Sequence, residues 1–124
     1  MSGRLRVLIV DDHPGLVRAV SRLLARDYDV VGSAADAIGL LEVVQRLEPD
    51  VIVLDVNLPN VDGLTACRQI TQVTPEVKVI MVTAGNDPDI RRLAFEAGAS
   101  DFVDKLAGPG ALLSALERLD ADQG

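Results

Sequence analysis

Along the chain, short β-rich apolar runs alternate with stretches in which apolar residues recur every three or four positions. The first run, Arg4–Val10, halts at Asp11-Asp12-His13-Pro14. Leu16, Val17, Val20, Leu23 and Leu24 then fall at helical spacing, and Pro14 suits the first turn of that helix. Val30-Val31 reads as a second, shorter strand. Asp36 is placed to cap a helix whose inner face is Leu40, Leu41, Val44 and Leu47. Val51–Leu54 is apolar on both faces, the pattern of a strand covered on two sides, and it ends in Asp55. Pro59 and Gly63 punctuate the next loop, and Leu64, Cys67 and Ile70 carry a third helix. Lys78–Thr83 is a fourth strand; after the Gly85-Asn86-Asp87-Pro88 loop, a helix faces inward through Ile90, Leu93, Ala94 and Ala97, with Gly98 as its cap. Phe102-Val103 makes a fifth strand, and Leu112, Leu113, Leu116 and Leu119 line a last helix.

Five strand–helix units with helix-length crossovers imply a parallel sheet covered on both faces. Right-handed crossovers then favour an α/β fold: a five-stranded, doubly wound, flavodoxin-like sheet of order 2-1-3-4-5 flanked by five helices. Residues 1–119 are expected to form this one domain, with the polar stretch 120–124 as a tail or the start of a linker.

Composition narrows the function. The 124 residues carry 12 basic against 19 acidic side chains, a formal charge of −7 that does not suit gripping nucleic acid. Apolar runs are no longer than about five residues, far short of a bilayer span, so no membrane segment is expected. A lone Cys67 forms no internal disulfide, and a reducing, cytoplasmic setting is the plain reading.

In a doubly wound sheet, ligands bind beyond the carboxyl ends of the strands. There the chain places Asp11-Asp12, Asp55 with Asn57 behind it, Thr83, and Asp104-Lys105. Three neighbouring carboxylates repel unless a cation intervenes, and a hard divalent ion such as Mg2+ accepts carboxylate and phosphate oxygens together. Lys105, one of only two lysines beside ten arginines, adds a mobile positive charge, and Thr83 a hydroxyl donor. These groups around one carboxylate describe a phosphoryl-accepting site whose nucleophile forms an aspartyl phosphate. His13 reads as a polar loop residue, Cys67 as core, and Asp62 as a helix start outside the site.

These residues carry a resemblance. Asp11-Asp12-His13-Pro14, the run from Leu54 and Asp55 through Asn57-Leu58-Pro59 to Asp62-Gly63, Val82-Thr83-Ala84, Glu96-Ala97-Gly98-Ala99 and Asp104-Lys105 occur in order. Together they resemble the receiver domain of two-component response regulators, most closely the LuxR/NarL/FixJ-type subfamily. The resemblance implies Asp55 as phosphoryl acceptor. It implies Asp11, Asp12, Asp55 and the Asn57 backbone carbonyl as ligands of Mg2+ or Mn2+, and Thr83, Ala84 and Lys105 as contacts to the phosphoryl oxygens. Thr83 and Phe102 become the switch pair, a sensor histidine kinase or a small acyl phosphate the donor, and transcription regulation the output. A homodimer formed on phosphorylation is a further expectation, with Arg91, Arg92, Asp101 and Asp104 as candidates for its face.

The chain departs from the family pattern in three places. Leu106 stands where many receivers have Pro after the lysine; the switch aromatic is Phe102, which has no hydroxyl; Gly85 offers no side chain to direct water. Two alternatives remain open: an aspartate-nucleophile phosphohydrolase and a phosphorylation-independent pseudo-receiver. The first would place a second Asp two residues after the nucleophile as acid and base, where this chain has Asn57. As a receiver the domain assists its own modification without external turnover, and is not classed as an enzyme.

Overall fold

The computed structural model describes residues 3–123. Five parallel strands run β1 (Arg6–Val10), β2 (Asp29–Ala34), β3 (Val51–Asp55), β4 (Lys78–Thr83) and β5 (Asp101–Asp104). They alternate with α1 (Pro14–Leu24), α2 (Leu40–Leu47), α3 (Gly63–Val73), α4 (Pro88–Glu96) and α5 (Pro109–Gln123). The strand order is β2-β1-β3-β4-β5, the doubly wound order expected. Every residue of β3, the central strand, is buried.

Alternation along the strands sorts side chains onto two faces. Leu8, Val10, Ile52, Leu54, Val79, Met81 and Phe102 pack with Val44, Ala66, Cys67, Ile70 and Ala94 from α2, α3 and α4. Val7, Ile9, Val51, Val53, Ile80, Val82 and Val103 turn to the other side, with Leu24, Leu112, Ala115 and Leu116 from α1 and α5.

Element ends follow local chemistry. Pro14 opens α1, Asp62 caps α3 by accepting from the Thr65 N–H at 2.8 Å, and Asp87 caps α4 by accepting from Asp89. Gly98 adopts φ +102° just past α4, where its N–H reaches Phe95 O and the Ala99 N–H reaches Ala94 O, a paired closure of the helix end.

Four expectations change. β2 spans Asp29–Ala34 rather than Val30-Val31 alone: Gly32 and Ser33 weaken the local signal, but β1 supplies a ladder for the whole segment. Asp36 does not cap α2. Its Oδ1 accepts from the Ile38 N–H at 2.9 Å, closing a separate turn, and the helix starts later behind Gly39 in the left-handed region. The predicted inner face of α1 is only partly covered: Leu24 is buried, but Leu16 is 39% exposed. Finally, α5 runs to Gln123, into the polar stretch 120–124 expected as a tail or the start of a linker.

Candidate functional site

Three strands deliver a carboxylate at or just beyond the carboxyl end, and each is held in the same way. Asp11 Oδ1 accepts from the His13 N–H at 2.9 Å, Asp55 Oδ1 from the Asn57 N–H at 2.9 Å, and Asp104 Oδ1 from the Leu106 N–H at 2.8 Å. A side chain bonded to the backbone two residues on reverses the chain sharply as it leaves the sheet. Behind β3, Gly63 lets α3 start against the strand end. A Cβ there would collide with the Asp55 carbonyl oxygen and come within 2.8 Å of Val56 Cα.

Asp11 and Asp55 share the sheet face that turns toward α1 and α5, and Lys105 reaches between them. Its Nζ lies 2.7 Å from Asp11 Oδ2 and 2.8 Å from Asp55 Oδ2. Asp55 is 3% exposed and Asp11 8%, so this is a largely buried cation shared by two carboxylates. His13 Nδ1 sits 2.7 Å from Asp11 Oδ1 and 3.2 Å from Asp12 Oδ1, at the solvent edge.

Opposing effects set the charge states. Burial pushes the Asp11 carboxyl up, but hydrogen bonds from the side chains of Lys105 and His13 and from the His13 N–H outweigh it, leaving it below 3.8. Burial pushes the Lys105 ammonium down, but its bonds to Asp11 and Asp55 hold it above 10.5. The hydrogen bond to Asp11, followed by the charges of Asp11 and Asp12, raises His13 above 6.5. Burial pushes the Cys67 thiol up to about 11, as befits a core residue.

Asp11, Asp12, His13 and Asp55 each offer a ligand atom, all within 4.8 Å of one another. Their three carboxylates face one ammonium, a surplus of negative charge that a divalent cation balances. An oxygen-rich set with Asp12 38% exposed leaves room for waters and fits a hard ion such as Mg2+.

The remaining predicted residues lie around this cluster. Asn57 joins through its N–H, with an exposed side chain. Thr83, 7% exposed, ends β4 opposite Asp104, and Ala84 follows it in the exposed loop. Phe102 is 6% exposed and packs on the opposite sheet face from Asp55, the face that strand alternation also gives to Thr83. His13 is the polar loop residue expected, at the entry to α1 and drawn against both neighbouring carboxylates. Asp104 faces the site loops at the end of β5, where the sequence placed it. Asp104 Oδ1 also accepts from the Gly85 N–H at 2.9 Å, so one carboxylate ties the loop after β4 to the loop after β5. That tie and a single 3-10 turn at Lys105–Ala107 shape the loop where Leu106 replaces the usual proline. The sequence shows an Asp at or just past the ends of β1, β3 and β5, but not which loops Asp104 would join.

A family model for the response regulator receiver domain matches residues 7–117. The chain belongs to that family. The response regulator GacA of Pseudomonas aeruginosa is 32% identical over 121 residues, covering 96% of this chain and 56% of the relative. A LuxR-family two-component response regulator from Aurantimonas sp. SI85-9A1 superposes with a TM-score of 0.90 at 34% identity, covering 97% of this chain and 87% of the other. The receiver domain of RcsB from Salmonella enterica serovar Typhimurium, solved with the phosphomimetic BeF3−, gives a TM-score of 0.88 at 27% identity over 96% of this receiver and 90% of that chain. The receiver thus resembles the LuxR/NarL type, and it spans about half the length of the curated relatives it matches. Among the described residues, no helix is long and apolar enough to cross a membrane.

Proposed function

We propose that this receiver is a phosphorylation-activated signalling switch in which Asp55 accepts a phosphoryl group. The carrying observation is the Asp55 carboxylate, buried at the end of β3 with Lys105 Nζ at 2.8 Å and the Asp11 and Asp12 carboxylates beside it. An Asp55 oxygen attacks phosphorus in line. The bond from phosphorus to the imidazole of a sensor kinase phosphohistidine, or to the oxygen of a small acyl phosphate, breaks, and the leaving group departs with the electron pair. Lys105 exchanges one carboxylate contact for a phosphoryl oxygen, while the Thr83 hydroxyl and Ala84 N–H donate to the others. Held by Asp11, Asp12, Asp55 and the Asn57 backbone carbonyl, Mg2+ or Mn2+ would neutralise charge between the acceptor and the incoming phosphoryl group.

Once formed, the aspartyl phosphate draws Thr83 toward it, and Thr83 lies on the face of the sheet that Phe102 occupies. The altered surface acts in the cytoplasm on a partner or output segment and favours a homodimer. With a charge of −7, the domain leaves DNA contact in transcription regulation to other segments. Asn57 in place of an acid two residues past Asp55 favours this reading over phosphohydrolase chemistry.

Incubation with magnesium and acetyl phosphate, or with a competent kinase, followed by intact mass measurement tests the proposal. One phosphoryl group is expected, and none in Asp55→Ala. No adduct from either donor overturns the proposal in favour of a pseudo-receiver. Because Gly85 offers no side chain to direct water while Asn57 does, the adduct is expected to outlast seconds in magnesium; loss within seconds would contradict that assignment.

A further inference from the structure

On α4, Arg91 and Phe95 are four residues apart and therefore lie one above the other on the same helix face. The Arg91 guanidinium carbon is 5.3 Å from the centre of the Phe95 ring and 5.8 Å from the centre of the Phe102 ring. Both distances fall within the range at which a cation is attracted to an aromatic face. The neighbouring Arg92 takes the carboxylates of Asp89 and Glu96, whereas among the described residues Arg91 has no salt bridge. Its charge is therefore directed at two rings, of which Phe95 is 40% exposed and Phe102 only 6%. Phe102 is turned inward, in a core that includes Ala94, Ala97 and Met81. A phenylalanine has no hydroxyl to anchor it there, so packing and the overlying cation are what hold it.

We propose that Arg91 is a positioning residue that latches the Phe102 ring inward and so sets the balance between its inward and outward positions. The functional consequence rests on Phe102 being the switch ring, as in the reading above; the latch itself rests on the contact geometry. Phe102 pairs with Met81 in the β4–β5 ladder, two steps before Thr83 pairs with Asp104 and on the same sheet face, so its position is coupled to the strand ends that carry Thr83 and Lys105. A cation–π contact at a partly exposed site contributes about 0.5–1 kcal/mol, which converts to about a two- to fivefold change in the ratio of inward to outward ring.

The chain has only two phenylalanines, so fluorophenylalanine labelling yields two 19F resonances, assigned with Phe95→Leu. Relaxation by a soluble paramagnetic agent then reports the exposure of the Phe102 ring in wild type, Arg91→Met and Arg91→Lys. The latch requires the outward-to-inward ratio of the Phe102 ring, read from its exposure, to rise about two- to fivefold in Arg91→Met, with Arg91→Lys recovering most of the protection. The rate of phosphoryl uptake from acetyl phosphate should fall in Arg91→Met in proportion to the loss of inward ring and recover in Arg91→Lys. Unchanged Phe102 exposure in Arg91→Met overturns the latch, as does a failure of Arg91→Lys to restore protection. If wild type takes no phosphoryl group, the switch reading fails, and the ring measurement still decides whether Arg91 holds Phe102.

Discussion

The two faces of the sheet are packed differently. Toward α2, α3 and α4, Leu8, Ile52, Leu54, Ile70, Met81 and Ala94 are all essentially inaccessible, and the open space of about 520 Å³ on that side lies at the amino ends of the strands, beside Val44, Asp50 and Val77, away from the site. Toward α1 and α5 a cavity of about 400 Å³ remains, with Val53, Val17, Val20 and Leu112 among its walls and Asp11, Asp55 and Lys105 at its rim. The same sheet thus supplies a rigid backing for Thr83 and Phe102 and a looser seat for the carboxylates. Stability and chemistry are separated by side-chain alternation: one residue's step along β3, from Leu54 to Asp55, passes from the closed core to the reactive rim.

The largest difference between the faces should appear on truncation. Ile70→Ala, on the closed face, is expected to cost about 2–5 kcal/mol in urea unfolding, because the lost side chain leaves a cavity that close packing cannot fill. Leu16→Ala, on the open face, should cost under about 1 kcal/mol. Equal costs would show that α1 packs as tightly as α3.

Next in size is the charged rim. Lys105→Met leaves Asp11 and Asp55 facing each other without their shared cation, and should lower stability at neutral pH by about 1–3 kcal/mol. The pH dependence has a definite sign. The folded Asp11 carboxyl lies below 3.8, so the stability it adds is present above 3.8 and lost as the pH falls through the folded value. The folded Lys105 ammonium lies above 10.5, so its contribution is present below 10.5 and lost as the pH rises through the folded value. Unfolding curves across pH should show both limbs in wild type; in Lys105→Met the alkaline limb is lost and the acid limb is reduced, the His13 bonds to Asp11 remaining.

Enlarging side chains should then give opposite signs on the two faces. Ala94→Leu overfills the closed core and is expected to destabilise by about 1–3 kcal/mol. Val17→Leu adds one methylene toward the cavity and should stabilise by up to about 0.8 kcal/mol. Destabilisation by both, read from denaturation midpoints, would mean the cavity is closed in solution.

The elements themselves were legible wherever burial on both sides gave continuous apolar runs, as in Val51–Leu54 and Lys78–Thr83, whose bounds the structure follows closely. β2 was under-read because it is an edge strand containing Gly32, where pairing to β1 rather than local propensity sustains the backbone. The start of α2 was misjudged because Asp36 has two uses, capping a helix or closing a turn, and only the path of the chain selects between them. At the site, Asp11, Asp55 and Lys105 were legible because each stands at the end of a recognisable strand. The roles of His13 and Asp104 were not, since both depend on which loops meet above the sheet.

By itself the amino-acid order determined the alternation of strand and helix, the doubly wound topology and the placing of the chemistry-bearing residues at the strand ends. These follow from local periodicity and from the right-handedness of parallel crossovers. Only the tertiary structure decided that Lys105 bridges two carboxylates, that Asp104 ties two loops together, that Phe102 lies inward beneath Arg91, and that α1 leaves a cavity beside Asp55. Those are contacts between residues far apart in the chain. Their distances depend on how the strand ends splay and how closely each helix layer settles on the sheet, which no local pattern encodes.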